Sequence, residues 1–79
     1  MADVEITVAP APGGWVVRSP FSDFGLMFLS GGRAEAKASE LAVRAAALGL
    51  DAHLEIRDRG QTVIASRLYP GRSWTQADL

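Results

Sequence analysis

The chain has 79 residues, 48% of them hydrophobic, no cysteine, and a formal net charge of −1. A length of this order builds one small core, the missing cysteines exclude disulfides and thiolate metal sites, and the near-neutral balance brings no general attraction to nucleic acid or anionic lipid. No apolar run approaches the ~20 residues of a membrane span, and Met1-Ala2-Asp3-Val4-Glu5 lacks the basic start and apolar stretch of a secretory signal, so a cytoplasmic setting is expected.

Val4 to Val8 alternates apolar and polar residues and reads as a half-buried strand. Ala9-Pro10-Ala11-Pro12-Gly13-Gly14 reads as a turn, because prolines and glycines extend a ladder poorly. Trp15 to Arg18 is a second strand, broken by Ser19-Pro20. Phe21 to Gly25 is a loop with two aromatics. Leu26 to Leu29 is a short, wholly apolar strand closed by Gly31-Gly32.

An amphipathic helix follows, from about Arg33 to Leu48. Ala34, Ala38, Leu41, Ala42, Ala45 and Leu48 recur at spacings of three and four, beside a charged stripe of Arg33, Lys37, Glu40 and Arg44. Gly32 is expected at the N-cap, Glu35 near the positive end of the helix dipole, and Gly49 just past the C-terminus. The mostly alanine stripe predicts a helix lying close to its sheet. Ala52 to Asp58 alternates cleanly and is the clearest strand. A tight turn at Arg59-Gly60, with Gly60 at positive φ, leads into a returning strand from Gln61 to Tyr69. That turn would pair Ile56 with Val63 and Leu54 with Ala65, all four sharing the buried face with the helix.

The order β-β-β-α-β-β predicts an α+β fold, a five-stranded antiparallel sheet with one helix packed on one face. Residues 1–79 form one domain, with an ordered core over about 4–69 and a loose tail over 70–79.

The run Gly13-Gly14-Trp15-Val16-Val17, then Ala34-Glu35-Ala36 with Glu40-Leu41-Ala42, then Leu54 to Gly60 resembles a family of short bacterial proteins known only as a domain of unknown function. Its members show a Gly-Gly-Trp strand, an Ala-Glu-Ala helix start and an Asp-Gly turn, and the resemblance spans roughly residues 4–69. This chain departs from the pattern where Arg59 splits the Asp-Gly pair and in the Phe-rich segment 21–28. The resemblance implies a fold and no reaction, cofactor or ligand. By size and composition alone the chain also resembles phage-encoded anti-CRISPR proteins, which commonly act by covering a surface on a bacterial effector complex.

Little in the chain points to catalysis. His53 is the sole histidine, and a general base or metal ligand needs company. Register puts it on a sheet face with Glu55 and Arg57, in an open solvated position. Asp51 and Asp58 sit near opposite ends of one hairpin arm and cannot converge on one bond. Ser19, Ser22, Ser30, Ser39, Ser66 and Ser73 have no evident base, and no nucleophile elbow or phosphate loop is present. No catalytic residue, metal or cofactor is therefore expected. Gly31-Gly32-Arg33 is the one candidate anion site, where free N–H groups and a guanidinium would meet.

The surplus apolar residues carry more information. Phe21 and Phe24 lie in a loop, Ile64 and Leu68 fall on the face opposite Val63 and Ala65, and Trp74 lies in the tail. With Arg57 and Arg59 they form a candidate surface for a protein partner, since exposed aromatics with a polar rim are the usual anatomy of a protein contact. The sheet's open face or its edge could equally take a second copy of the chain, giving a homodimer. The expected function is a non-enzymatic module that masks a larger protein, in the manner of a phage antagonist of bacterial defence. The alternative is a nucleic-acid-binding module using Arg57, Arg59, Arg67 and Arg72.

Overall fold

A computed structural model of the chain describes residues 2–22 and 24–72. Five strands and one helix follow in the expected order: β1 (Val4–Ala11), β2 (Gly14–Arg18), β3 (Leu26–Phe28), α1 (Gly31–Ala47), β4 (Ala52–Arg57) and β5 (Val63–Tyr69). They form one sheet in the order β3-β2-β1-β4-β5. The fold is α+β with the helix across one face, as the patterning predicts.

One pairing departs from expectation. β1 and β4 are parallel, with Ile6 beside Leu54 and Glu5 beside His53, so the sheet is mixed rather than antiparallel throughout. The helix is the reason. Two hairpin-like reversals leave β3 running in the direction of β1. α1, about 25 Å long at 1.5 Å per residue, then carries the chain back across the sheet, and β4 sets out in the same direction as β1.

The core lies between α1 and the near side of the sheet. Val4, Ile6 and Val8 of β1, Val17 of β2 and Ala52 and Leu54 of β4 are buried against Ala34, Ala38, Ala42 and Ala45. Trp15, Leu26, Phe28, Leu41 and Ile56 ring this centre. The helix stripe is as predicted except at Leu48, which is exposed because it is the C-cap and has left helical geometry. Gly49 takes φ +89° and its N–H bonds the Ala46 carbonyl, while the Leu50 N–H bonds that of Ala45. That is the paired closure expected of a glycine at this position.

The helix starts earlier than expected. Ser30, not Gly32, is the N-cap: its Oγ accepts from the Arg33 N–H at 3.2 Å. A glycine has no side-chain acceptor to offer, so the serine two residues upstream wins, and Glu35 falls beyond the first turn. Ser30→Ala should therefore cost about 0.5–2 kcal/mol in urea unfolding. Gly32→Ala, whose added methyl meets open space, should gain about 0.5–1 kcal/mol. The reverse pattern would restore the cap to Gly32.

Three segments correct the expected boundaries. Pro10 and Ala11 are part of β1, opposite Trp15 and Gly14, and the turn is only Pro12-Gly13. A proline fits there because β1 pairs with β4 no further than Val8, which leaves that flank of the strand open. After β4, Asp58 organises a wider turn: its Oδ1 accepts from the N–H of Gly60 and of Thr62, at 2.8 and 3.0 Å. The positive φ falls on Gln61 rather than Gly60. Register then runs Ile56 to Ala65 and Leu54 to Arg67, with a bulge between Ile56 and Arg57. Val63 thus lies opposite Arg57, Val63 and Ala65 are exposed rather than buried beneath the helix, and Arg67 and Tyr69 share the helix side with Leu54 and Ala52.

At the other end, two hydrogen bonds fasten the start of the segment read as a loose tail. The Gly71 N–H reaches Asp51 Oδ1 at 2.7 Å, and the Arg72 N–H reaches the Ala46 carbonyl at 2.8 Å.

Candidate interaction surface

α1 lies over the middle of the sheet, and β5 is left outside its cover. Val63 through Leu68 are all exposed and only Tyr69 is half-buried. β5 is also an edge strand, paired with β4 on one side alone. Its second row of backbone N–H and C=O groups is therefore unpaired by any described strand. Ile64 and Leu68 stand on the face away from the helix, 60% and 57% exposed, as their alternation with Ala65 requires. Two of the predicted contact residues thus stand on one strip, with Ser66 between them.

Beside that strip runs a charged row. His53 Nδ1 lies 2.9 Å from Glu5 Oε1 and 3.9 Å from Glu55 Oε2, and Glu55 Oε1 accepts from Arg57 at 2.8 and 3.3 Å. His53 is not the open solvated residue expected. Its partner Glu5 comes from β1 through the parallel pairing, which strand alternation alone does not reveal. The row lies on a sheet face, and among the described residues none of its members hydrogen-bonds a hydroxyl. Among the described residues no three His, Cys, Asp or Glu side chains group as a metal cage.

The four candidate nucleic-acid arginines are dispersed. Arg57 is held by Glu55 on the open face. Arg67 is on the helix side, 3.4 Å from the Tyr69 hydroxyl. Arg59 projects from the β4–β5 turn and borders an open groove of about 570 Å³ with Pro10, Gly14, Trp15 and Leu29. Arg72 lies near the helix C-terminus. A phosphate backbone needs several cations along one face, which this arrangement does not offer.

The other candidates scatter as well. Gly31 packs on Trp15, where an added Cβ would sit 3.1 Å from the indole ring, and Ser30 Oγ already takes the Arg33 N–H, one of the donors of the candidate anion site. Phe24 is 82% exposed and Phe21 about half exposed, in the loop that closes with the Ser22 hydroxyl donating to the Phe24 carbonyl at 2.6 Å. Trp74 lies outside the described residues. Sequence reasoning missed Met27 and Leu29, the latter 90% exposed. Both belong to the run read as a short, wholly apolar strand. β3 is only three residues long and at the sheet edge, so Met27 turns to the open face and Leu29 falls past the strand's end.

On the helix side, β5 overhangs a recess of about 80 Å³ bordered by Glu35, Ser39, Ile56, Ala65 and Arg67. The Tyr69 hydroxyl lies 3.4 Å from Ser39 Oγ. The Ser39 hydrogen bond lowers the phenol's pKa below its usual 10.0, helped by Arg67 and opposed by burial. Tyr69 is the sole tyrosine, so its ionisation can be read directly from ultraviolet absorbance. It should titrate below free tyrosine, and Ser39→Ala should move it back up. The linked stability is absent at neutral pH and appears only as pH rises through the lowered pKa toward 10.

No described helix is long and apolar enough to cross a membrane. No family model matches the chain, nor does any curated protein or solved structure.

Proposed function

We propose that this chain is a non-catalytic protein-binding module that masks a larger partner through the edge of β5 and the Ile64–Leu68 strip. One observation carries the reading. Among the described residues nothing pairs the outer edge of β5, Val63 to Leu68 are exposed, and five of its seven residues are Val, Ile, Ala, Leu or Tyr. Natural sheets usually blunt such an edge with charge, proline or a covering element. β5 carries a single charge, Arg67, and no proline. An edge of this kind takes an added strand, with backbone hydrogen bonds for affinity and alternate side chains for specificity. The role of a phage-type antagonist, covering a surface of a bacterial effector complex, rests on the resemblance in size and composition.

The test is an affinity capture from bacterial lysate with two baits, the native chain and Ile64→Lys/Leu68→Lys, both checked for fold by circular dichroism. A stoichiometric protein retained by the first and lost by the second is expected. Equal retention by both would move the site off β5. A gel shift at 50 mM salt addresses the arginines: tight, steeply salt-dependent nucleic-acid binding there would overturn the protein-masking reading.

A further inference from the structure

Resting on that reading of β5, we infer that one occupant of the edge is a second copy of the same chain, paired strand to strand about Ser66. Two antiparallel edge strands related by a twofold axis normal to the sheet must match residues of the same face. The axis therefore passes through a residue position and not between two. Ser66 is the middle of Val63–Tyr69, so this centring alone uses the whole strand. It sets Ile64 against Leu68 of the second copy, Ser66 against Ser66, and Ala65 against Arg67.

Side-chain chemistry favours the same register. Centring on Arg67 would set two guanidiniums directly opposite each other, and like charges so placed oppose pairing. Centring on Ala65 would set Ile64 against Ser66 and Val63 against Arg67, so the apolar residues would lose their apolar mates. Centring on Ser66 instead joins the two Ile64–Leu68 strips into one on the open face. On the helix side it brings each Arg67 to the Ala65 of its mate. Ala65 borders the recess that Glu35 also lines, and Glu35 is exposed and makes no ion pair among the described residues. Arg67 borders that recess in its own chain as well, so in the paired sheet each Glu35 would stand between the Arg67 of its own chain and that of its mate, both of opposite charge. The paired sheet has ten strands, with both helices on one side and the joined strip on the other. A larger partner would meet that joined strip.

The experiment uses the absence of cysteine. Ser66→Cys places one thiol per chain at the axis, where a disulfide can form across paired strands. Leu29→Cys places one at the far edge, equally free but remote. Under mild oxidation Ser66→Cys should form the linked dimer much faster than Leu29→Cys. Sedimentation of the native chain should show mass rising with concentration. Glu35→Arg and Arg67→Glu should each weaken association by about two- to fivefold per pair, and the combined swap should restore it. A native chain that stays monomeric at about 1 mM, or a dimer in which Ser66→Cys links no faster than Leu29→Cys, overturns the pairing. Loss of a larger partner with Ile64→Lys/Leu68→Lys in a chain that stays monomeric would leave the masking function standing and remove only the self-association.

Discussion

Ile6→Ala is expected to destabilise the chain by about 2–5 kcal/mol in urea or thermal unfolding. Ile6 is fully buried at the middle of the central strand, beside Leu54 of β4 and within the core that α1 covers. Truncation loses the burial of its side chain and leaves a cavity. The cavity would not fill easily, because the helix above contributes single methyl groups from Ala34, Ala38, Ala42 and Ala45, and these have no rotamers with which to reach inward. A 79-residue domain has about 4–12 kcal/mol of total stability at typical per-residue values, so this one change can remove half of it. A measured cost below about 1 kcal/mol would mean that the centre of the sheet relaxes far more freely than close packing allows.

Ala42→Phe tests the same interface from the other side, by adding volume instead of removing it. Ala42 has no exposed surface and belongs to the same core cluster. A phenyl ring there must lift the helix or push Val and Ile side chains off their rotamers, at about 1–3 kcal/mol. Ala36→Phe, on the exposed side of the same helix, is the control and should cost about 0.5 kcal/mol, the difference in helix propensity. Equal costs at the two positions would mean that the alanine stripe is not what sets the distance between helix and sheet. The pair also bears on β5. Ile64 and Leu68 stand on the sheet face away from the helix, so a lifted helix should leave that face unchanged while the core loosens.

Much of the candidate surface was legible in the chain, and the misses have definite causes. Ile64 and Leu68 were placed correctly on the open face because strand alternation survives a register shift of two residues. The partners of β5 were not, since Asp58 builds a longer turn than Arg59-Gly60 alone suggests and a bulge follows Ile56. His53 was read as solvated because Glu5 lies 48 residues away and reaches it only through the parallel ladder. Met27 and Leu29 were not singled out as exposed because an apolar tetrapeptide does not reveal whether its strand lies at the edge of the sheet. The Ser30 cap was within reach of the sequence: a serine three residues before Arg33 is a standard acceptor, and the glycine pair drew attention from it.

The chain's own local chemistry determined which segments are strands and which the helix, which residues of a strand share a face, and where Gly49 ends the helix. These follow from side-chain periodicity and backbone freedom within a few residues. Only the tertiary structure decided that β1 and β4 run parallel, that Glu5 meets His53, and that the helix leaves Val63 to Leu68 exposed. Those outcomes depend on how a helical crossover returns the chain to the sheet and on how much width one alanine-faced helix can cover, and neither is encoded in any short stretch of residues.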